Sequence, residues 1–127
     1  MSGTDALPLF VYGTLTARGA QAGLLRGLRR AEARVRGSLW VMPAGYPALV
    51  PDGAGDVHGE LVYGPSARAV RLIDHYEGVD EGLYKRVRIW AWVGLLQEPA
   101  WGYVMPEARL RGGRHVPSGR WRARGHA

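Results

Sequence analysis

A glutamate at the end of a predicted helix is the first residue whose position suggests chemistry. Glu77 directly precedes Gly78, a residue type that commonly ends helices. The apolar residues before it have helical spacing: Val70, Ile73 and Tyr76. The C-terminal end of a helix has partial negative charge, so a carboxyl group there has a raised pKa. Such a group can accept and return protons near neutral pH, although a solvated acid at a helix end explains the same sequence.

A glycine turn near the N-terminus is the second candidate. The apolar run Leu7–Tyr12 predicts a buried strand, and Gly13 ends it before Ala17–Leu28, where apolar residues have helical spacing. Glycine lets the backbone turn sharply, so the amide N–H groups of residues 13–15 could point outward and hold a carboxylate or phosphate. An ordinary turn between a strand and a helix gives the same pattern, and the sequence leaves both interpretations open.

The residue types exclude several kinds of site. The chain has no cysteine, which rules out disulfides, thiolate metal sites and a cysteine nucleophile. Four acids lie around the same helix end with a spacing that matches no calcium loop: Asp74, Glu77, Asp80 and Glu81. We therefore expect neither a metal ion nor a cofactor.

The positive charge of the chain is concentrated at one end. The formal net charge is +6, and residues 106–127 contain six arginines against one acid, Glu107. An arginine-rich end can bind phosphates, and a strand face that carries Arg86 and Arg88 beside Trp90 and Trp92 can stack on nucleic-acid bases. A solvated terminus, with arginine stems packed over indoles, explains both patterns without a ligand. Nucleic acid is therefore the less favoured partner.

The candidate residues must be positioned by a small fold of mixed elements. Apolar patterns predict about five strands: Leu7–Tyr12, Ala33–Met42, Asp56–Tyr63, Tyr84–Val93 and Ala100–Met105. Two helices are predicted, at Ala17–Leu28 and from Pro65 to the stop at Gly78. Residues 44–49 and 94–99 have the composition of irregular connections. This order predicts an α+β fold whose core is a strongly bent sheet or small β-barrel flanked by two helices.

Length and hydropathy bound the organisation of the chain. Its 127 residues match one domain, with the core at about 7–105 and an arginine-rich tail at 106–127. The proline and glycine content of that tail resists regular structure, and Trp121 is its only large apolar anchor. No apolar run approaches the roughly 20 residues that span a bilayer, and the first ten residues lack the basic region of a secretory signal. We expect a cytoplasmic location and no membrane partner.

Five short motifs occur in an order that resembles one enzyme family. They are VYGTL at 11–15, GYPAL at 45–49, VHGELVY at 57–63, LIDHYEG at 72–78 and LYKR at 83–86. Together they resemble the γ-glutamylcyclotransferase-like family, in particular its small bacterial members and γ-glutamylamine cyclotransferase. The resemblance covers residues 9 to about 105, and SGRWR at 118–122 is similar to the usual C-terminal end of the family.

The resemblance implies a fold and a substrate-binding loop. The fold is a small mixed β-barrel flanked by helices, with a cavity at one end. The Tyr-Gly-x-Leu loop of the family would hold the α-carboxylate and amine of a γ-glutamyl group, and it falls on Tyr12, Gly13, Thr14 and Leu15. Tyr84 matches a family tyrosine near the pocket.

The resemblance also implies a reaction, with Glu77 as its catalytic residue. A γ-glutamyl amine or peptide cyclises when its own α-amine attacks the γ-carbonyl, which releases an amine and leaves 5-oxoproline. Glu77 would remove the proton as general base and return it to the leaving amine as general acid. Residues 16–21 lack the polar Asn and His positions of many relatives, so the identity of the released amine stays open, as does the oligomeric state.

Two functions from other classes are alternatives. The first is a non-catalytic small-molecule-binding module of the same fold, which an intact Glu77 disfavours. The second is a basic nucleic-acid-binding domain that uses the arginine-rich end and the arginine–tryptophan strand face. The nearly balanced charge of residues 1–105 disfavours it.

Overall fold

Eight strands form one continuous sheet in the computed structural model, which describes residues 7–13 and 22–121. The strands are β1 (Leu9–Val11), β2 (Arg30–Arg36), β3 (Ser38–Val41), β4 (Pro47–Val50), β5 (Asp56–Val62), β6 (Lys85–Val93), β7 (Leu96–Val104) and β8 (Arg114–Val116). The described helices are α1 (Ala67–Tyr76) and a short 3₁₀-helix at Ala22–Leu25. Neither is long and apolar enough to cross a membrane.

Five of the strands close into a barrel. Their order is β1-β5-β2-β6-β7, and β1 also pairs in parallel with β7, where Leu9 lies opposite Trp101. The remaining strands extend the sheet from β7 in the order β4-β3-β8, through a parallel contact of Leu49 with Val104. Parallel and antiparallel pairs therefore coexist. The predicted α+β class with a small mixed barrel is confirmed.

Apolar side chains form two core clusters on opposite faces of β1. Phe10 belongs to the cluster that receives side chains from all five barrel strands, including Leu61 and Ala100. Leu9 belongs to the other cluster, which includes Ile73 of α1. Strand side chains alternate between faces, so β1 is buried on both sides and lies between the barrel core and the cluster that contains Ile73 of α1.

Local sequence explains where α1 begins and ends. Ser66 is its N-cap, and its hydroxyl accepts a hydrogen bond from the Ala69 amide at 3.0 Å. Glu77 is the C-cap residue, and its amide donates to the Ile73 carbonyl at 2.8 Å. Gly78 follows with a φ of 69°, in the left-handed region that glycine adopts at low cost. The predicted second helix is confirmed, although Pro65 precedes its cap.

Three predictions about strands and turns are wrong. The predicted strand Ala33–Met42 is divided into β2 and β3 at Gly37, where a Cβ atom would lie 2.6 Å from the Val50 carbonyl oxygen. Residues 44–49, predicted to be irregular, include the start of β4. The predicted connection at 94–99 is a two-residue turn, because Gly94 adopts a φ of 59° and lets β6 and β7 pair directly.

The C-terminal segment is ordered further than its composition predicts. Residue 105 is not the end of the core, because Ala108 is fully buried in it. β8 pairs with β3, and Trp121 packs against the barrel cluster. The prediction that residues 106–127 resist regular structure is therefore wrong at β8, while the other residues from 106 to 121 form turns or irregular chain. Tertiary pairing supplies hydrogen bonds that local composition does not reveal.

Two predictions fall partly outside the described residues. The predicted helix at Ala17–Leu28 has its first part there, and its described part contains the 3₁₀-helix. Thr14 and Leu15 also lie outside the described residues, as do residues 122–127.

Candidate active site

A cavity of about 240 Å³ lies between β1, the turn before β4, the end of α1 and β7. Tyrosine is the commonest residue in its wall, with Tyr12, Tyr46, Tyr76, Tyr84 and Tyr103. Glu77 contributes the only carboxyl group among the lining residues that the structure describes. An aromatic wall around one acid can enclose a small ligand and move a proton.

Burial determines the chemistry of Glu77. The C-cap position places its side chain in the cavity wall, where removal from water raises the pKa to about 7. No hydrogen bond or charged partner among residues 7–13 and 22–121 contributes to this shift. The direction agrees with the sequence analysis. The cause differs: the partial charge of the helix end was expected to raise this pKa, whereas burial raises it.

β1 delivers the tyrosine and glycine of the predicted loop to the cavity. The Tyr12 hydroxyl donates to the Tyr103 carbonyl at 2.8 Å and accepts from the Leu49 amide at 3.0 Å, so its ring is fixed. Gly13 lies against Pro47, and a Cβ atom at Gly13 would lie 2.7 Å from the Pro47 Cγ. A side chain at this position would therefore press on the opposite wall.

Tyr84 secures the same wall from the other side. Its hydroxyl donates to the Pro47 carbonyl, and its ring centroid lies 6.2 Å from that of Tyr46. Burial raises the pKa of Tyr84 above its ordinary range. Two of the predicted binding positions, Gly13 and Tyr84, thus meet through Pro47, which the sequence analysis did not single out as a site residue. Its signal was present in the GYPAL motif.

A hydrogen-bonded network beside Glu77 was also missed. The Tyr103 hydroxyl donates to Asp74 Oδ1 at 2.6 Å, and Arg86 Nε donates to the same oxygen at 2.9 Å. The Arg86 guanidinium lies 4.5 Å from the centre of the Trp101 ring. This arginine therefore packs on an indole, as one of the two interpretations of residues 86–92 proposed, although the indole belongs to the neighbouring strand β7. The network fixes the Tyr103 hydroxyl near the cavity. Asp74 belongs to the same motif as Glu77, which was the available signal.

The described side chains offer no obvious metal centre. Among residues 7–13 and 22–121, no three His, Asp or Glu side chains are grouped to hold a metal ion. The cavity instead combines a carboxyl group of near-neutral pKa, fixed tyrosines and backbone near Gly13. These groups suit proton transfer on a small polar ligand.

Residues 9–123 match the sequence profile of the family described as "Gamma-glutamyl cyclotransferase, AIG2-like". The match extends over most of the chain. The chain belongs to this family. The family resemblance drawn from five short motifs is therefore confirmed.

Solved structures share the fold of this family member. An AIG2-like protein from Mus musculus superposes with a TM-score of 0.69 at 19% identity, over 95% of this chain and 98% of that one. YkqA from Bacillus subtilis gives a TM-score of 0.70 at 25% identity, over 91% of this chain and 39% of that one. A structure named gamma-glutamyl cyclotransferase gives 0.62 at 16% identity, over 78% and 66%.

A curated relative shares a shorter stretch at higher identity. The bifunctional NAD(P)H-hydrate repair enzyme Nnr of Thermosynechococcus vestitus is 45% identical over 56 residues. That stretch is 44% of this chain and 11% of the relative. The chain thus matches about a tenth of the length of this relative and well under half of YkqA.

Proposed function

We propose that the protein is a γ-glutamylcyclotransferase-type enzyme that cyclises a γ-glutamyl amine or peptide to 5-oxoproline and releases the amine. The observation that carries this proposal is the Glu77 carboxyl, which lines the tyrosine-walled cavity with a pKa of about 7. Membership of the family supports the reaction class. Action in the cytoplasm, on a small-molecule substrate, belongs to the same proposal.

Glu77 moves one proton through the reaction. As a carboxylate it removes a proton from the α-ammonium of the substrate, and the free amine then attacks the γ-carbonyl carbon. A C–N bond forms in the five-membered ring, and the bond to the leaving nitrogen breaks as Glu77 returns the proton there. The ring nitrogen passes its second proton to the released amine, which leaves as an ammonium ion, and the lactam keeps one N–H. A pKa near the working pH allows both steps, and general acid–base catalysis of this kind typically contributes about 10²–10⁴-fold.

Positioning supplies the other part of the rate. Nucleophile and electrophile belong to one molecule, so the cavity has only to fold the substrate until they meet, which can remove about 7–11 kcal/mol of barrier. In this proposal the backbone at Gly13, Thr14 and Leu15 holds the α-carboxylate. The support is that Tyr12 and Gly13 line the cavity and that Tyr84 holds the facing Pro47.

The test is release of 5-oxoproline from a panel of γ-glutamyl amines and γ-glutamyl dipeptides. Glu77→Gln keeps the shape of the side chain but cannot accept the proton, so we expect turnover to fall at least about 10²-fold. Asp80→Asn is the matched control, because Asp80 is an exposed acid three residues further on that does not line the cavity. It should keep the wild-type rate.

Two results would contradict the proposal. If Glu77→Gln is folded and releases 5-oxoproline at the wild-type rate, Glu77 is not the acid–base residue. If the wild-type protein binds γ-glutamyl compounds and turns none of them over, it is the non-catalytic binding module of the same fold.

A further inference from the structure

A second cavity, of about 360 Å³, has Tyr12 in common with the wall of the first and no other lining residue that the structure describes. Its lining is mainly polar and comes from β2, β5, the end of β6 and the C-terminal segment 117–121. The volume is within the range of small-molecule sites, about 300–1,000 Å³. Neither the family reaction nor the network around Glu77 uses it.

The C-terminal segment is built into this cavity by specific contacts. The His58 amide of β5 donates to the Gly119 carbonyl at 2.8 Å. Gly119 has a φ of 68°, and a Cβ atom there would overlap the Asp56 carbonyl, so a side chain would force the segment away. Trp121 packs against the barrel core. Arg120 is therefore held at the cavity by its neighbours on both sides.

Two arginines of the lining have no acidic partner in the part of the chain that the structure describes. Neither Arg34 nor Arg120 takes part in any of its ion pairs. Arg34 donates to the Gly94 carbonyl at 3.2 Å, and its guanidinium lies 5.6 Å from the centre of the Trp92 ring. A guanidinium has five N–H donors, so most of the donors of Arg34 remain available to a ligand.

The acids of the lining do not cancel this charge. Glu60 lies 2.8 Å from Arg30, which balances it. Glu32 lies opposite Glu60 in the strand pair, two residues along β2 from Arg34. With Glu60 paired to Arg30, Arg34 and Arg120 face one further carboxylate among the described lining residues, that of Glu32, so the lining keeps a net positive charge.

His58 reports the electrostatic potential at this point. It lies opposite Arg34 in the pairing of β2 with β5. Burial lowers its pKa, and the charges of Arg120 and Arg34 lower it further against the opposing effect of Asp56. A group whose protonation is disfavoured by two neighbouring cations lies where a negative charge is favoured.

A buried donor adds an independent observation. The indole N–H of Trp121, a lining residue, is removed from solvent and has no hydrogen-bond acceptor among residues 7–13 and 22–121. Buried donors almost always have a partner, and one that lacks it calls for an explanation. This indole N–H belongs to the residue next to Arg120 in the lining of the second cavity.

We propose that the second cavity binds the phosphate group of a small organic phosphate, with Arg34 and Arg120 as cationic donors and the Trp92 ring beside the organic part. The planar guanidinium matches phosphate oxygens in a two-pronged geometry, and arginine is favoured wherever such recognition is needed. The cavity has room for more than the phosphate alone. This ligand is distinct from the γ-glutamyl substrate of the first cavity.

The experiment measures binding of AMP, inorganic phosphate, adenosine and acetate to the whole protein by calorimetry. AMP and phosphate should bind, whereas adenosine and acetate should not. Arg34→Ala and Arg120→Ala should each weaken AMP binding at least about tenfold, since each removes a charge-assisted contact. Arg88→Ala is the control, because Arg88 is an exposed β6 arginine that lines neither cavity. It should change the affinity less than about twofold.

A second measurement follows His58 in the wild-type protein and needs no variant. Sulfate keeps its charge between pH 5 and 8, so it can replace phosphate in an NMR titration of the His58 ring. Bound sulfate should raise the pKa of His58, because it offsets Arg34 and Arg120. At each pH, sulfate should leave the resonances of the exposed His115 ring unchanged.

Four results would overturn the proposal. Equal binding of adenosine and AMP would show that phosphate is not recognised, and equal binding of acetate would show a general carboxylate site. Equal losses in Arg88→Ala would show unspecific attraction by net charge. Displacement of AMP by an oligonucleotide, with a steep salt dependence, would show a nucleic-acid surface. Glu77→Gln should bind AMP normally, so failure here is distinguishable from failure of the proposed reaction.

Discussion

The two cavities of this barrel differ in how they treat charge. Around Glu77 the described wall is mainly aromatic and apolar, and burial raises the carboxyl pKa to about 7, with no charged partner among residues 7–13 and 22–121. Around Arg34 and Arg120 the wall is charged, and the Glu60 carboxylate is balanced by Arg30. The first arrangement makes a proton mobile, whereas the second attracts an ion. The two cavities therefore differ in whether a cation lies beside a lining carboxylate, as Arg30 does beside Glu60.

Asp74 shows the same rule within one helix. It lies three residues before Glu77, yet it accepts hydrogen bonds from both Arg86 and Tyr103. Because the Asp74 carboxylate is already paired with Arg86, it serves to position the Tyr103 hydroxyl.

A side chain at Gly13 should have the largest effect, because it would press on Pro47 across the first cavity. We expect Gly13→Val to abolish the thermal stabilisation that 5-oxoproline or a γ-glutamyl dipeptide gives the wild-type protein. Melting curves with and without ligand measure this. Gly55→Ala is the control, since a Cβ atom there meets nothing closer than 3.5 Å. Undiminished stabilisation of Gly13→Val would place the substrate elsewhere.

Loss of the Asp74 charge should lower turnover without removing the acid–base residue. We expect Asp74→Asn to reduce kcat about tenfold, equivalent to about 1.4 kcal/mol, with a smaller change in KM. The reason is that the Tyr103 hydroxyl loses its charged acceptor. Steady-state kinetics and the pH profile of kcat separate this effect from loss of Glu77, because the acidic limb, on which protonation of the Glu77 carboxylate lowers kcat, should remain. An unchanged kcat would show that the network is purely structural.

Trp121, in the wall of the second cavity, should contribute to the stability of the whole protein. A chain that ends after Arg122 should keep its stability and turnover, whereas one that ends after Arg120 should lose about 1–3 kcal/mol of unfolding free energy. Trp121 packs against the barrel core, and its loss exposes that surface. Urea unfolding and 5-oxoproline release of the two truncations are compared side by side. If the chain that ends after Arg122 is folded but has lost its activity, the terminal residues belong to the site.

The smallest expected effect is a pH dependence of stability that originates at Glu77. Its folded pKa of about 7 exceeds the ordinary 4.5, so the folded protein binds more protons between these values and stability falls as pH rises through them. Glu77→Gln removes this term. Allowing for partial exposure, we expect the unfolding free energy of the variant to rise by about 1–2 kcal/mol relative to that of the wild type as the pH increases from 5 to 8. If the unfolding free energies of Glu77→Gln and the wild type, measured in urea, depend on pH in the same way, the raised pKa of Glu77 is contradicted.

The sequence predicted features that depend on neighbours along the chain. The helix that ends before Gly78, and a strand at Asp56–Tyr63, follow from spacing and from residue types that end helices. The motif order also indicated the family that the profile match shows. The division of β2 from β3 at Gly37 could not be predicted, because it depends on Val50, which lies thirteen residues away.

The candidate site shows the same limit. Glu77 could be found from its place at a helix end, but the burial that raises its pKa comes from side chains on other elements. The hydrogen bond from Tyr103 to Asp74 joins residues 29 positions apart, and no spacing rule reveals it. The tail was misjudged for the same reason, since the partners of β8 and of Gly119 lie in β3 and β5.

By itself the sequence determined which residue types were available: an acid at a helix end, a glycine after a buried strand, no cysteine and an excess of arginine. The tertiary structure decided which acid would be paired, as Asp74 is with Arg86, and which would be buried in a cavity wall, as Glu77 is. The reason is physical. Helix ends and turns depend on backbone preferences within a few residues, whereas desolvation and ion pairing depend on groups that only barrel closure brings together.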